Sequence, residues 1–138
     1  MDQKGSTLSP SSAIRIAAVV FQNENYEVLS VRKAGTSAFM LPGGKLELGE
    51  LPQAAAIREV AEELHIALEP ASLSHLGRFQ AQAANEAGRD VDCDVFIADI
   101  QLHGIPPVYE EIVEAAYFPL DSHSPKLAPL SLQIFPQL

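Results

Sequence analysis

Apolar and polar positions change rhythm several times along this chain, and each change marks an element. Ile14 to Phe21 (IRIAAVVF) is apolar at every position but Arg15 and rich in β-branched side chains, the composition of a strand buried on both faces. The polar run Gln22-Asn23-Glu24-Asn25 turns it into a second strand, Tyr26 to Arg32, and the two are expected to pair as a hairpin. Lys33 to Ser37 reads as a loop, Ala38 to Leu41 as a short extended piece ending at Pro42, and Gly43-Gly44 as a turn whose backbone can approach a ligand closely. From Pro52 the period lengthens to that of a helix. Ala54, Ile57, Val60, Ala61 and Leu64 form an apolar stripe, so a helix ending near Leu64 should bury that side. Pro52 suits the first helical position, although Leu51 is a poor cap. Leu73 to Ala83 and Val91 to Leu102 read as two longer strands joined by the polar turn Asn85 to Asp90. Glu114 to Leu120 is a further extended segment. Pro129 starts a C-terminal helix, with Leu130, Leu132, Ile134 and Phe135 as apolar contacts and Pro136 fraying its end. Strands broken by one long helix and one terminal helix predict an α+β domain, an α/β/α sandwich with a central mixed sheet.

Composition narrows this picture. The chain has 138 residues, 47% of them hydrophobic, which suits one compact domain. Residues 1–11, rich in Ser, Gly, Thr and Pro, are expected to form a flexible lead-in, and 12–138 the single domain. Nine basic residues against eighteen acidic ones leave a formal charge of −9, which argues against a surface that grips duplex nucleic acid. A nucleotide bound through metal ions stays open. The single cysteine, Cys93, permits neither an internal disulfide nor a thiolate zinc cluster and fits a reducing compartment. With no apolar run of membrane-spanning length and no apolar leader, the expectation is a cytoplasmic protein with no membrane partner.

Charge within the predicted helix is the feature that points to chemistry. Glu62 and Glu63 stand three and four residues after Glu59, so on a helical wheel all three carboxylates share a face. Each like-charge pair at such spacing costs an isolated helix roughly 0.2–0.5 kcal/mol, so a compensating cation is expected.

Gly44, five residues, Glu50, seven residues, then Arg58-Glu59-Val60-Ala61-Glu62-Glu63-Leu64-His65-Ile66 resembles the signature of the Nudix hydrolases, G-x5-E-x7-R-E-U-x-E-E-x-G-U with U a bulky aliphatic. Every fixed position but one agrees. The segment Glu111 to Leu120 also resembles the family's downstream ending, so the likeness extends over most of the predicted domain. The departure is His65, where the family has glycine. That position follows the helix and would be left-handed, at roughly 1 kcal/mol for a residue with a Cβ.

The resemblance implies a Nudix-type α/β/α sandwich and Mg²⁺-dependent hydrolysis of a nucleoside diphosphate linked to another moiety, with Mn²⁺ as an alternative ion. It makes Glu59 and Glu63 the main metal ligands, Glu62 an additional one, and the carbonyl of Gly43 a further oxygen. Mg²⁺ suits such an all-oxygen set, since it prefers hard ligands and keeps waters while bridging carboxylates to phosphates. Arg58 would orient the carboxylates, Glu50 would help organise the site, and a loop carboxylate would serve as base, best matched by Glu111 with Glu110 and Glu114 as rivals. Gly44, Arg32 and Phe79 are candidates for contact with substrate, with Phe79 or Tyr117 available to stack on a base. The proline and tyrosine that mark ADP-ribose and dinucleoside polyphosphate subfamilies are absent, Ala81 and Ala83 standing there. A MutT-like nucleoside triphosphate pyrophosphohydrolase is therefore the default. An ADP-ribose or nucleotide-sugar pyrophosphatase and a non-catalytic nucleotide-sensing module are the alternatives, and a homodimer is compatible with the family.

Overall fold

The computed structural model describes residues 13–138, so the expected lead-in over 1–11 lies outside the described residues. Seven strands form one mixed sheet: β1 (Ile14–Asn23), β2 (Val28–Lys33), β3 (Phe39–Met40), β4 (Gly43–Lys45), β5 (Leu73–Gln82), β6 (Asp90–Leu102) and β7 (Ile112–Phe118). The main path runs β3-β2-β1-β6-β5, with β4 paired to β1 and β7 to β2. Two helices, α1 (Pro52–Leu64) and α2 (Pro129–Ile134), cover the sheet, and a 3-10 turn at Phe135–Gln137 continues α2. The expected sandwich is what forms. Among the described residues no helix is long and apolar enough to cross a membrane.

β1 shows why its sequence is apolar throughout. Ala17, Val19 and Phe21 point into a core completed by Ala55, Ala56, Val60 and Leu64 of α1. The alternate residues Ala18 and Val20 point into a second core with Cys93, Val95, Leu130, Ile134 and Phe135. Period-2 alternation thus feeds one apolar run into two layers. β1 pairs in parallel with β6, Ile14 opposite Val91 and Val20 opposite Ile97.

Four local expectations are corrected. β1 and β2 meet as a hairpin only at its turn, where Gln22 faces Val28. β4 takes the place of β2 farther along, pairing Ile16 with Lys45 and Ala18 with Gly43, while β2 pairs with β7. Gly43 and Gly44 are accordingly strand residues and not a turn. On α1, Ala54 and Ala61 are exposed and Ile57 half-buried, and the buried stripe is Ala55, Ala56, Val60, Glu63 and Leu64. The side of the helix facing the sheet is rotated toward the glutamates, because β4 brings its backbone under Glu59 and Glu63. Leu132 is likewise exposed on α2, whereas Leu130, Ile134 and Phe135 are buried as expected.

Two buried aspartates and their more exposed cationic partners tie β1, β6 and β5 together. Asp92, 4% exposed, takes two hydrogen bonds from Arg78, while Asp94 accepts from Arg15 at 2.8 Å and pairs with His75 Nε2 at 2.8 Å. The Arg78 hydrogen bonds hold the Asp92 carboxyl below its ordinary value against the opposing effect of burial. Burial alone would raise Asp94, but the hydrogen bonds from Arg15 and His75 outweigh it and leave that carboxyl lowered too.

Candidate active site

α1 lays its glutamates along β4, and the approach requires glycine in that strand. A Cβ on Gly44 would stand 2.3 Å from the Glu59 carboxyl carbon, so this carboxylate occupies the space that a side chain would fill. Gly43 has φ 152°, and a Cβ there would meet the Ala17 carbonyl oxygen. Its N–H donates to Glu63 Oε1 at 3.2 Å.

The three helical glutamates have separate surroundings. Glu63 is 1% exposed, and its Oε2 is buried without a hydrogen-bond partner. Burial, reinforced by the nearby carboxylates of Glu59 and Glu111, pushes the Glu63 carboxyl up to about 8 despite the Gly43 N–H. Glu59 is half-buried; desolvation raises it, opposed by Arg58 and assisted by Glu62 and Glu111. Glu62 turns outward, its side chain 51% exposed, and lies 3.6 Å from Arg58. The shared face predicted by the wheel therefore divides into a buried, an edge and an exposed carboxylate.

Arg58 is the hub. Its guanidinium donates to both Glu50 oxygens at 2.9 and 2.8 Å, to Glu59 Oε2 at 2.8 Å and to the Lys45 carbonyl at 3.1 Å. Glu50, not Glu62, is its principal partner, and this fork holds the Glu50 carboxyl down to about 2 with help from the Glu47 N–H. One side chain thereby fixes the loop before α1, the strand β4 and the Glu59 carboxylate.

Beside these residues lies a cleft of about 280 Å³, lined by Ile16, Ala18, Met40, Val91, Leu130, Lys33 and Lys45, with Glu63 and Glu111 in its wall. The turn carrying Asn85 and Glu86 forms another side, and Glu86 approaches Lys45 at 3.8 Å. Gly43 and Gly44 line the cleft as well. Of the rival loop carboxylates, Glu111 is the one in its wall, while Glu114 pairs with Arg32 at 2.9 Å and Glu110 adopts φ 57°.

Two substrate-contact expectations fall elsewhere. Arg32 donates to Glu114 and to the Thr36 carbonyl in a separate open groove, because strand alternation puts its neighbours Val31 and Lys33 on the cleft side. Phe79 packs into the core beneath α2, and the Tyr117 hydroxyl donates to the Gly104 carbonyl, so neither ring lines the cleft. Sequence reasoning passed over Lys33 and Lys45; a lysine directly after the paired glycines was the available signal. It also passed over Tyr109, whose ring stacks on His65 with centroids 3.4 Å apart and planes 4° from parallel. His65 itself ends α1 at φ 54°, ψ 36°, the expected left-handed conformation.

Among the described residues no three carboxylate, imidazole or thiol side chains converge into a finished metal cage. Glu59 is taken up by Arg58, and Glu62 faces solvent. The fit with a hard divalent cation rests on Glu63, an orphaned carboxylate oxygen buried beside two more acidic side chains, a set that suits Mg²⁺ and not a softer metal.

The model of the NUDIX domain family matches residues 13–138. The chain is 39% identical over 57 residues to an 8-oxo-dGTP diphosphatase of Escherichia coli K12, and 39% identical over 64 residues to a MutT-like protein of Streptomyces ambofaciens. These matches span 38% and 46% of this chain, but only 44% and 41% of the relatives' own lengths. Among solved structures, a MutT NUDIX hydrolase from Burkholderia pseudomallei superposes with a TM-score of 0.74 at 23% identity, covering 91% of this chain and 98% of that one.

Proposed function

The chain belongs to the NUDIX domain family, and from that premise we propose that it is a Mg²⁺-dependent pyrophosphohydrolase acting on a nucleoside triphosphate. The observation that carries the reading is Glu63: a carboxylate buried in the wall of an open cleft, one oxygen unpartnered, with Glu59 and Glu111 near enough to raise its proton affinity. Left unpaired, a buried charge of this kind is costly, so the arrangement suits a site completed by a cation.

Glu63 and Glu59 would hold the ion, with Glu62 reaching it from the exposed side and the Gly43 carbonyl as a further oxygen. When bound, a divalent cation neutralises phosphate charge, polarises the phosphoryl oxygens and lowers the pKa of a coordinated water. The chain's own residues supply positioning. Arg58 locks the Glu59 carboxylate to Glu50, so that it does not relax away from its neighbours. Lys33 and Lys45 stand in the cleft wall where they can meet the phosphates. Glu111, in the cleft wall, would take the proton of the attacking water. The apolar wall of Ile16, Ala18, Val91 and Leu130 suits a flat base, which would be held between aliphatic side chains, since among the described residues no aromatic ring lines the cleft.

Incubation with Mg²⁺ and a panel of nucleoside triphosphates, 8-oxo-dGTP included, together with ADP-ribose and nucleotide sugars, tests the reading. Release of inorganic pyrophosphate from a triphosphate, lost in Glu63→Gln, is expected. No turnover on any of them would overturn it, and stoichiometric binding without turnover would favour the nucleotide-sensing module.

A further inference from the structure

Glu111 reaches the cleft on a loop, and two backbone contacts set where that loop lies. Its carbonyl accepts the Ala34 N–H at 2.8 Å, and two residues earlier the Tyr109 N–H donates to the Glu63 carbonyl at 2.9 Å. The second contact joins the loop to the last turn of α1. A second tie runs beside it, because the Tyr109 ring lies flat on the imidazole of His65, the residue immediately beyond that turn.

His65 is also where this chain departs from the signature. Glycine would adopt φ 54° without strain, whereas histidine carries a Cβ into a conformation that disfavours one. What histidine offers in return is a ring, and the ring is used. We propose that His65 and Tyr109 form a clamp that positions Glu111 against Glu59 and Glu63, making His65 a positioning residue for the loop carboxylate. The inference rests on reading the cleft as the active site.

The clamp has a geometric logic. Between Tyr109 and Glu111 only Glu110 intervenes, itself at φ 57°, and the Ile112 N–H closes back on the Tyr109 carbonyl at 3.1 Å. With so short a link, a shift of the Tyr109 backbone passes to that of Glu111. Ala34 holds the opposite side, so Glu111 is fixed only while both anchors stand.

The experiment compares His65→Asn, His65→Gly, Tyr109→Ala and Tyr109→Phe by amide hydrogen exchange and by steady-state kinetics with Mg²⁺ and the triphosphate turned over. Asparagine and glycine both accept the left-handed backbone but remove the ring, so a folding failure is not the expected result. In His65→Asn, His65→Gly and Tyr109→Ala the amides of residues 109–112 should exchange about tenfold faster while those of α1 keep their rates. In the same variants kcat should fall about tenfold with KM within about twofold, as misplacement of a reacting group predicts. Tyr109→Phe, which keeps the stack, should restore both readouts, and His65→Asn/Tyr109→Ala together should be no worse than either alone. Unchanged exchange at 109–112 in His65→Asn, or faster exchange with kcat unaltered, would overturn the clamp, as would a Tyr109→Phe variant as impaired as Tyr109→Ala. If the wild-type protein turned over no nucleotide the functional reading would fail, and the exchange rates would still decide whether the clamp holds the loop.

Discussion

Gly43 and Gly44 are neighbours in one strand, yet a methyl group added to each meets different matter. At Gly43 it meets backbone, the Ala17 carbonyl and Ala18 Cα, which cannot move without breaking the β1–β4 pairing. Gly43→Ala should therefore cost about 3 kcal/mol or more, read from urea denaturation. At Gly44 it meets the far end of the Glu59 side chain, which can swing away by giving up its hydrogen bond from Arg58. Gly44→Ala should fold with stability within about 1 kcal/mol of wild type and lose about 100-fold in kcat, since its target is a displaced carboxylate. These roles were only half legible in the sequence. The spacing of Gly44, Glu50, Arg58, Glu59, Glu62 and Glu63 marked the candidate site, because a signature records which residues are present. Which carboxylate is buried and which one Arg58 grips depend on side-chain directions fixed by β4, a strand that reads as a turn in the sequence. His65 was legible as a left-handed residue, but its partner Tyr109 lies far along the chain and carries no local pattern.

At the scale of the element, α1 serves two demands that compete for the same face. Its apolar residues seal the core, and Glu63 must share that side to line the cleft. Leu64→Ala, at a position 2% exposed, should cost about 2–5 kcal/mol, while Ala54→Ser and Ala61→Ser on the exposed side should change stability by no more than about 0.5 kcal/mol. Equal losses at all three sites would put the buried stripe where periodicity alone predicted it. That prediction was rotated because a helical wheel treats every glutamate as outward-facing. The two-sided burial of β1, the ends of α1 and the long strands β5 and β6 were legible in composition and turn residues. The replacement of β2 by β4 beside β1 was not, since strand order is settled by long-range packing and Gly43-Gly44-Lys45 lacks the β-branched residues that announce a strand.

For the molecule as a whole, two opposite responses to charge are expected. Mg²⁺ should raise the melting temperature by mass action on the folded state, and Glu63→Gln should abolish that rise; a Mg²⁺ response equal in both proteins would place the ion elsewhere. The Asp92 and Asp94 network responds to protons instead. Both carboxyls are lowered from 3.8 in the folded chain, so their stabilisation is complete above that value and is lost as pH falls through the lower folded values. The stability of wild type and Asp92→Asn, read from denaturation, should differ by a constant margin, about 1–2 kcal/mol, from pH 7 down to about 5, and the margin should shrink as pH falls below 3.8 through the lower folded value. A margin unchanged in acid would mean that charge at Asp92 is not what the arginines secure. The parallel pairing of β1 with β6 has a consequence in time. As the chain leaves the ribosome, the strand that will become the centre of the sheet appears before the glutamate helix, and its parallel neighbour appears only after that helix has been made. The signature helix can pack on β1 and β4 as soon as it is made, but the cleft wall at Val91, Glu111 and Leu130 is encoded downstream, so a stall in synthesis between residues 64 and 90 should leave a half-covered helix and a signature with no cleft to serve.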